Sequence, residues 1–228
     1  MGNSVPVFDH IGLWCHDLGK SAERFETLLN AHVEPGGRHD GQGTWNRLVG
    51  AKDDVYLELI ARDPDQNQAG PIIRSVGNQS DLTTCLVAYR TSDLEGTHKR
   101  AIEAGAASLG IQSMSRAGAD GQKISWRLLF IQHPDHPVLP FFIDWQSTPH
   151  PSTRLNPVLD IAPPVFRTPT PDSLQGLLKH LGVAAQSVYG EDHEILISLR
   201  NGTNSASASR LRSLDVDEVE PRDNQNQP

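Results

Sequence analysis

The side chains best suited to chemistry in this sequence are His10 and Glu58, each set within a run of apolar residues. His10 lies in Val7-Phe8-Asp9-His10-Ile11-Gly12-Leu13-Trp14-Cys15, and Glu58 in Val55-Tyr56-Leu57-Glu58-Leu59-Ile60-Ala61. Both runs read as β-strands, in which successive side chains take opposite faces. If Ile11, Leu13 and Cys15 pack under a helix, then His10, Gly12 and Trp14 face the other way. Leu57 and Leu59 turned inward likewise leave Tyr56, Glu58 and Ile60 on the second face. A carboxylate in the middle of an apolar strand is costly to bury alone, because it loses its hydration. A divalent metal or a protonated His10 would supply the partner. Otherwise the two form a structural hydrogen-bonded pair, or both are solvated in an open cup. If Glu58 is not a ligand, it is a candidate general base.

The elements that must position this pair recur along the chain. After the first strand, Asp17-Leu18 opens a helix with Leu18, Ala22, Phe25, Leu28 and Leu29 on one face; Asp17 is the expected cap and Asn30 the stop. Seventy-six positions on, Cys85–Tyr89 is again a strand. Asp93-Leu94 again opens a helix, with Leu94, His98, Ala101 and Ile102 inward and Gly105 ending it. A third copy starts at Thr170-Pro171, with Leu174, Leu177, Leu178 and Leu181 inward and Gly182 as its stop. Further strands are expected near His32–Glu34, Thr44–Val49 and Val55–Ala61, then near Ser108–Ile111, Ile124–Ile131 and Pro140–Trp145. The period suits a duplicated supersecondary unit rather than a solenoid. The expected fold class is α+β: tandem β-α-β-β-β units at about 5–65 and 81–151 whose sheets form a cup, plus a partial third β-α-β-β unit. Residues 152–213 form a linker and that truncated unit, in which Val158–Ile161 can supply the first strand. Residues 214–228 form an acidic, disordered tail.

The tandem β-α-β-β-β pattern resembles the vicinal-oxygen-chelate superfamily, and particular phrases resemble its glyoxalase-like members. These are Asp9-His10 with Asp17-Leu18; Gly36-Gly37-Arg38-His39 followed by Gly43-Thr44-Trp45-Asn46; Tyr56-Leu57-Glu58 with Asp63-Pro64; and Pro140-Phe141-Phe142-Ile143-Asp144-Trp145 ending in His150-Pro151. The resemblance implies a divalent metal in the cup, with His10 and Glu58 as ligands. The second unit places Leu86 opposite His10, which removes one ligand. Parity groups Asp144 with Phe142, opposite Phe141, Ile143 and Trp145, so Asp144 either completes the metal set or forms a salt bridge. Such a nitrogen and oxygen set would accept Zn, Mn, Fe, Ni or Mg. His39, His133, His136 and His150 fall in loop-like segments and read as surface residues, with His150 the first substitute ligand. Thr44 and Asn46 are candidate substrate-binding groups, with Trp14, Tyr56 and Phe142 as an apolar wall. Arg127 either pairs with a substrate carboxylate or faces solvent.

The bulk properties narrow the partners. The 228 residues are 37% hydrophobic and 21% charged, enough for a buried core. The net charge of −8 argues against a nucleic-acid or membrane-surface binder. Asp215, Asp217, Glu218, Glu220 and Asp223 stand against Arg222 alone, so half of that charge lies in the tail. The start shows no secretory signal, and no stretch approaches the roughly 20 apolar residues of a membrane span. Cys15 and Cys85 read as buried thiols, which fits a cytoplasmic setting. Gly-x-Ser-x-Gly and phosphate-loop motifs are missing. Three functions stay open: a metal-dependent lyase, isomerase or dioxygenase acting on a small oxygenated molecule, a metal-free protein that sequesters a small molecule, and an interaction module. A homodimer is compatible with the pattern but is not required to close a cup.

Overall fold

The computed structural model describes residues 4–67, 70, 73, 80–117, 123–209 and 212–215. The first unit runs β1 (Val7–Cys15), α1 (Leu18–Leu29), β2 (Glu34–His39), β3 (Thr44–Gly50) and β4 (Tyr56–Arg62). The second runs β5 (Thr83–Arg90), α2 (Leu94–Glu103), β6 (Ala107–Ala117), β7 (Lys123–Gln132) and β8 (Phe141–Asp144). Both helices begin where the sequence predicts. Asp17 accepts hydrogen bonds from the Gly19 and Lys20 amides, Asp93 accepts one from the Gly96 amide, and Asn30 closes α1 at φ 48°. Along α2 the buried positions are Leu94, Thr97 and Ala101, and Ile102 is exposed.

The eight strands form one sheet in the order β2-β3-β4-β1-β5-β8-β7-β6. Within each unit the first and last strands are parallel neighbours, and the antiparallel pair β1–β5 joins the units at the centre. The outer strands β2 and β6 pack against each other, so the sheet curls into the expected cup. Gly12 is required at the seam, since a Cβ there would lie 2.5 Å from Leu86 Cγ. The sheet is apolar on both faces. Ile11, Leu13, Leu57, Leu59, Val87 and Tyr89 face the helices, while Trp14, Ile60, Leu86, Trp126, Phe141 and Ile143 cluster on the concave side.

Beyond a 3₁₀ turn (Pro151–Arg154) lie β9 (Asp160–Ile161), β10 (Val165–Thr168), α3 (Pro171–His180), β11 (Gln186–Tyr189), β12 (Glu194–Asn201), β13 (Asn204–Ser209) and β14 (Arg212–Asp215). The strand ahead of α3 is therefore β10, inside the Pro-rich stretch read as linker. Two strands also follow β12, so the third unit is longer than the truncated β-α-β-β unit expected. These elements form a second sheet, β11-β10-β12-β13-β14 with β9 on β12. It packs onto the helix side of the large sheet: Phe166, Leu174, Leu178, Ile195 and Leu199 join the same core as Leu29 and Leu57. The expected acidic tail, residues 214–228, starts within β14, and from residue 216 onward it lies outside the described residues. Among the described residues no helix is long and apolar enough to cross a membrane.

Candidate functional site

The cup holds a cavity whose two walls differ in chemistry. One wall is polar: His10 on β1, His39 ending β2, Thr44 and Asn46 on β3, and Glu58 on β4. The facing wall comes from the second unit and, apart from Gln112, is apolar: Leu86, Trp126, Leu128, Phe130, Phe141 and Ile143. His10 Nε2 lies 3.8 Å from Glu58 Oε2, with both side chains buried. Tyr56 stacks on the His10 ring at 4.5 Å between centroids, and the edge of Phe141 closes its other flank at 5.7 Å. Asn46 donates to Glu58 Oε1 at 2.5 Å. His39 bonds to Thr44 through Nδ1 at 2.8 Å and brings Nε2 to 3.7 Å from Glu58 Oε1.

His39 was read as a surface residue because two glycines precede it. Those glycines lie in a strand, with a register shift between Pro35 and Arg38. Gly37 N–H donates to Asn46 Oδ1 at 2.8 Å, and a Cβ on Gly36 would lie 2.0 Å from that same oxygen. The pair lets the Asn46 amide approach the backbone and aim its other end at Glu58. The available signal is the Gly36-Gly37 pair two positions ahead of His39, the last residue of β2.

Of the other residues singled out from the sequence, the structure brings Tyr56, Thr44 and Asn46 together with His10 and Glu58. Trp14 is on the concave face, packed in the cluster with Ile60, Leu86 and Trp126. Phe142, Asp144 and Arg127 are elsewhere. Phe142 is fully buried among the helix-side residues, and Phe141 and Ile143 take the cup face. Asp144 accepts from Arg127 Nη2 at 2.6 Å, and Arg127 Nη1 donates to Glu95 Oε1 on α2 at 2.5 Å. The parity assigned to β8 is thus inverted: all four of its residues are buried, so alternation of polarity offered no guide. Asp144→Asn is expected to lower stability by about 1 kcal/mol, as for a partly exposed ion pair. Chemical denaturation measures that loss, and ligand binding in the cup should be unchanged.

Register explains why the second wall is apolar. Gly12 pairs with Glu58 in the first unit, and its counterpart 76 positions on, Ala88, pairs with Phe141 in the second. Phe141, not Asp144, is therefore the equivalent of Glu58, as Leu86 is of His10. Both second-unit positions lack a donor atom. Asn46 stands between His39 and Glu58, 3.2 Å from His39 Nε2. Among the described residues no three His, Cys, Asp or Glu side chains gather as a metal site. The structure brings together two of the three candidate ligands, His10 and Glu58, while Asp144 is held by Arg127, so the residues present do not fit the three-ligand site expected.

Behind His10 sits Asp9, fully buried, which contacts His10, His150 and Trp145. Burial alone would raise its pKa, but hydrogen bonds from His10 and His150 outweigh that and hold the carboxyl well below the usual carboxylate range. His150 is bound here and is not a substitute ligand beside Glu58.

Paired β-α-β-β-β units curled around one cup define a vicinal-oxygen-chelate protein. Residues 8–182 match the glyoxalase-like domain, and the chain belongs to that family. No curated protein matches the sequence. Among solved structures, a hypothetical protein from Staphylococcus aureus is similar with a TM-score of 0.60 at 17% identity, covering 90% of this chain and 85% of its own. Methylmalonyl-CoA epimerase from Streptomyces coelicolor, in complex with 2-nitronate-propionyl-CoA, has a TM-score of 0.47 at 22% identity, covering 62% of this chain and 98% of its own. The Mycobacterium tuberculosis epimerase has 0.46 at 19%, covering 63% and 91%.

Proposed function

We propose that this chain is an enzyme of the isomerase or lyase type that moves a proton on a small, oxygen-bearing substrate with an apolar body. The observation that carries the reading is the buried pair His10 Nε2 and Glu58 Oε2, 3.8 Å apart at the polar end of a cup whose facing wall is mainly apolar. Two groups able to take up a proton, beside an apolar wall, suit removal of a proton from carbon next to a carbonyl. Gln42, Thr44 and Gln112 line the same cavity and offer neutral hydrogen bonds to substrate oxygens. The metal-dependent form implied by the resemblance would rest on the same two side chains.

Deuterium exchange tests this without knowledge of the final product. A panel of small uncharged hydroxyketones and aryl ketones is incubated with the protein in D₂O, and exchange beside the carbonyl is read by NMR. Catalysed exchange that survives exhaustive chelation supports the proposal. Exchange that needs one divalent ion per chain, with that ion lost in His10→Ala, establishes the metal-dependent form in its place. Tight binding of panel members with no exchange makes the protein a sequestering one.

A further inference from the structure

We infer that Asp9 is a positioning residue that holds His10 in one tautomer, with the proton on Nδ1 and the Nε2 lone pair turned to Glu58. The inference rests on the reading of His10 and Glu58 as the reacting pair. Strict alternation would send the neighbours Asp9 and His10 to opposite faces of the sheet. The register of β1 on β5 breaks that rule: Phe8 pairs with Tyr89 and His10 with Ala88, leaving Asp9 as an extra residue in a bulge. A bulge re-aims a side chain, and here it brings the Asp9 carboxylate to His10 Nδ1 at 2.5 Å.

The hydrogen-bond partners of Asp9 decide which nitrogen carries the proton. Trp145 Nε1–H, a donor only, reaches Oδ2 at 3.1 Å. His150 Nδ1 accepts the Ser152 backbone N–H at 3.3 Å, so its proton lies on Nε2, which donates to the same Oδ2 at 2.9 Å. Arg90 Nη1, 3.7 Å from Oδ2, adds a positive charge to the surround. An anionic carboxylate with two donors on one oxygen can only accept at the other, so His10 Nδ1 must be the donor. The same contacts tie the two units together at the site, since Asp9 belongs to β1 and its other partners to β5 or the segment after β8.

The substitution Asp9→Asn turns this into a signed prediction. Two donors meet Oδ2 and one meets Oδ1, so the amide oxygen of Asn stays with Trp145 and His150. Its NH₂ then faces His10 Nδ1, which must become the acceptor. The His10 proton moves to Nε2, and the nitrogen that faced Glu58 as a base now faces it as a donor.

The test is a long-range ¹H–¹⁵N correlation spectrum of the ¹⁵N-labelled full chain without substrate, with His10 assigned by its loss in His10→Gln. Wild type is expected to show a pyrrole-type Nδ1 and a pyridine-type Nε2, with a far-downfield, exchange-protected Nδ1–H. In Asp9→Asn the two nitrogen types should exchange places. A wild-type His10 protonated at Nε2, or a folded Asp9→Asn that keeps the wild-type pattern, overturns the inference. Should Asp9→Asn not fold, the wild-type spectrum still decides. The spectrum is read without substrate, so this failure is distinct from a failure of the exchange assay.

Discussion

Glu58→Gln and His10→Gln are each expected to slow the exchange reaction about 10²–10⁴-fold, the range for losing one positioned acid or base. Both replacements keep side-chain size at positions facing a preformed cavity, so far-ultraviolet circular dichroism should remain that of wild type. The informative variant is the double one. His10 and Glu58 face each other at 3.8 Å with no other described carboxylate at the floor of the cup. If they handle one proton together, removing the second after the first costs little more, because groups acting as a unit are strongly non-additive. The double variant should then match the slower single variant within a few-fold. Losses that multiply would mean separate tasks, for example a base at Glu58 and an oxygen-binding donor at His10.

The unit structure was legible because its signals are local. Asp17, Asp93 and Thr170 open helices, Gly105 and Gly182 close them at positive φ, and strand alternation carried His10, Tyr56 and Glu58 correctly to one face. What was missed depended on departures from regular geometry. The bulge at Asp9 turns two consecutive residues toward one site, which alternation forbids. Gly36 and Gly37 are the usual marks of a turn, yet here they make room for Asn46 against a strand. In β8 an unbroken apolar run faces packed layers on both sides, so no polarity pattern separated Phe141 from Phe142. Pairing with β5 settled it, and that is a contact between residues more than 50 positions apart. The second sheet was obscured in the same way, because Asn204–Ser209 has little apolar content of its own and is held by pairing with β12.

Asp9→Ala is expected to be the most damaging single change to the fold, at roughly 3–5 kcal/mol, the range for removing one partner of a buried charged group. Asp9 is fully buried, and its loss strands the Trp145 indole N–H, the His150 imidazole and the His10 Nδ1–H where water has little access. The donors come from both units, so the damage is to the seam rather than to one strand. The pH dependence carries the sign of a carboxyl held below its ordinary pKa. An unfolded aspartate titrates near about 3.9. Above that pH neither state of the chain takes up a proton at this position, and the stabilisation from Asp9 is complete. As the pH falls below it, the unfolded chain binds a proton that the folded chain refuses, and stability drops until the folded carboxyl itself is protonated. The stability gap between wild type and Asp9→Ala, measured by urea denaturation, should therefore be insensitive to Asp9 titration from pH 5 to 8 and shrink below about pH 4. A gap that instead closed as the pH rose toward 8 would mean that a charged imidazolium, and not the Asp9 carboxylate accepting neutral donors, holds the seam together.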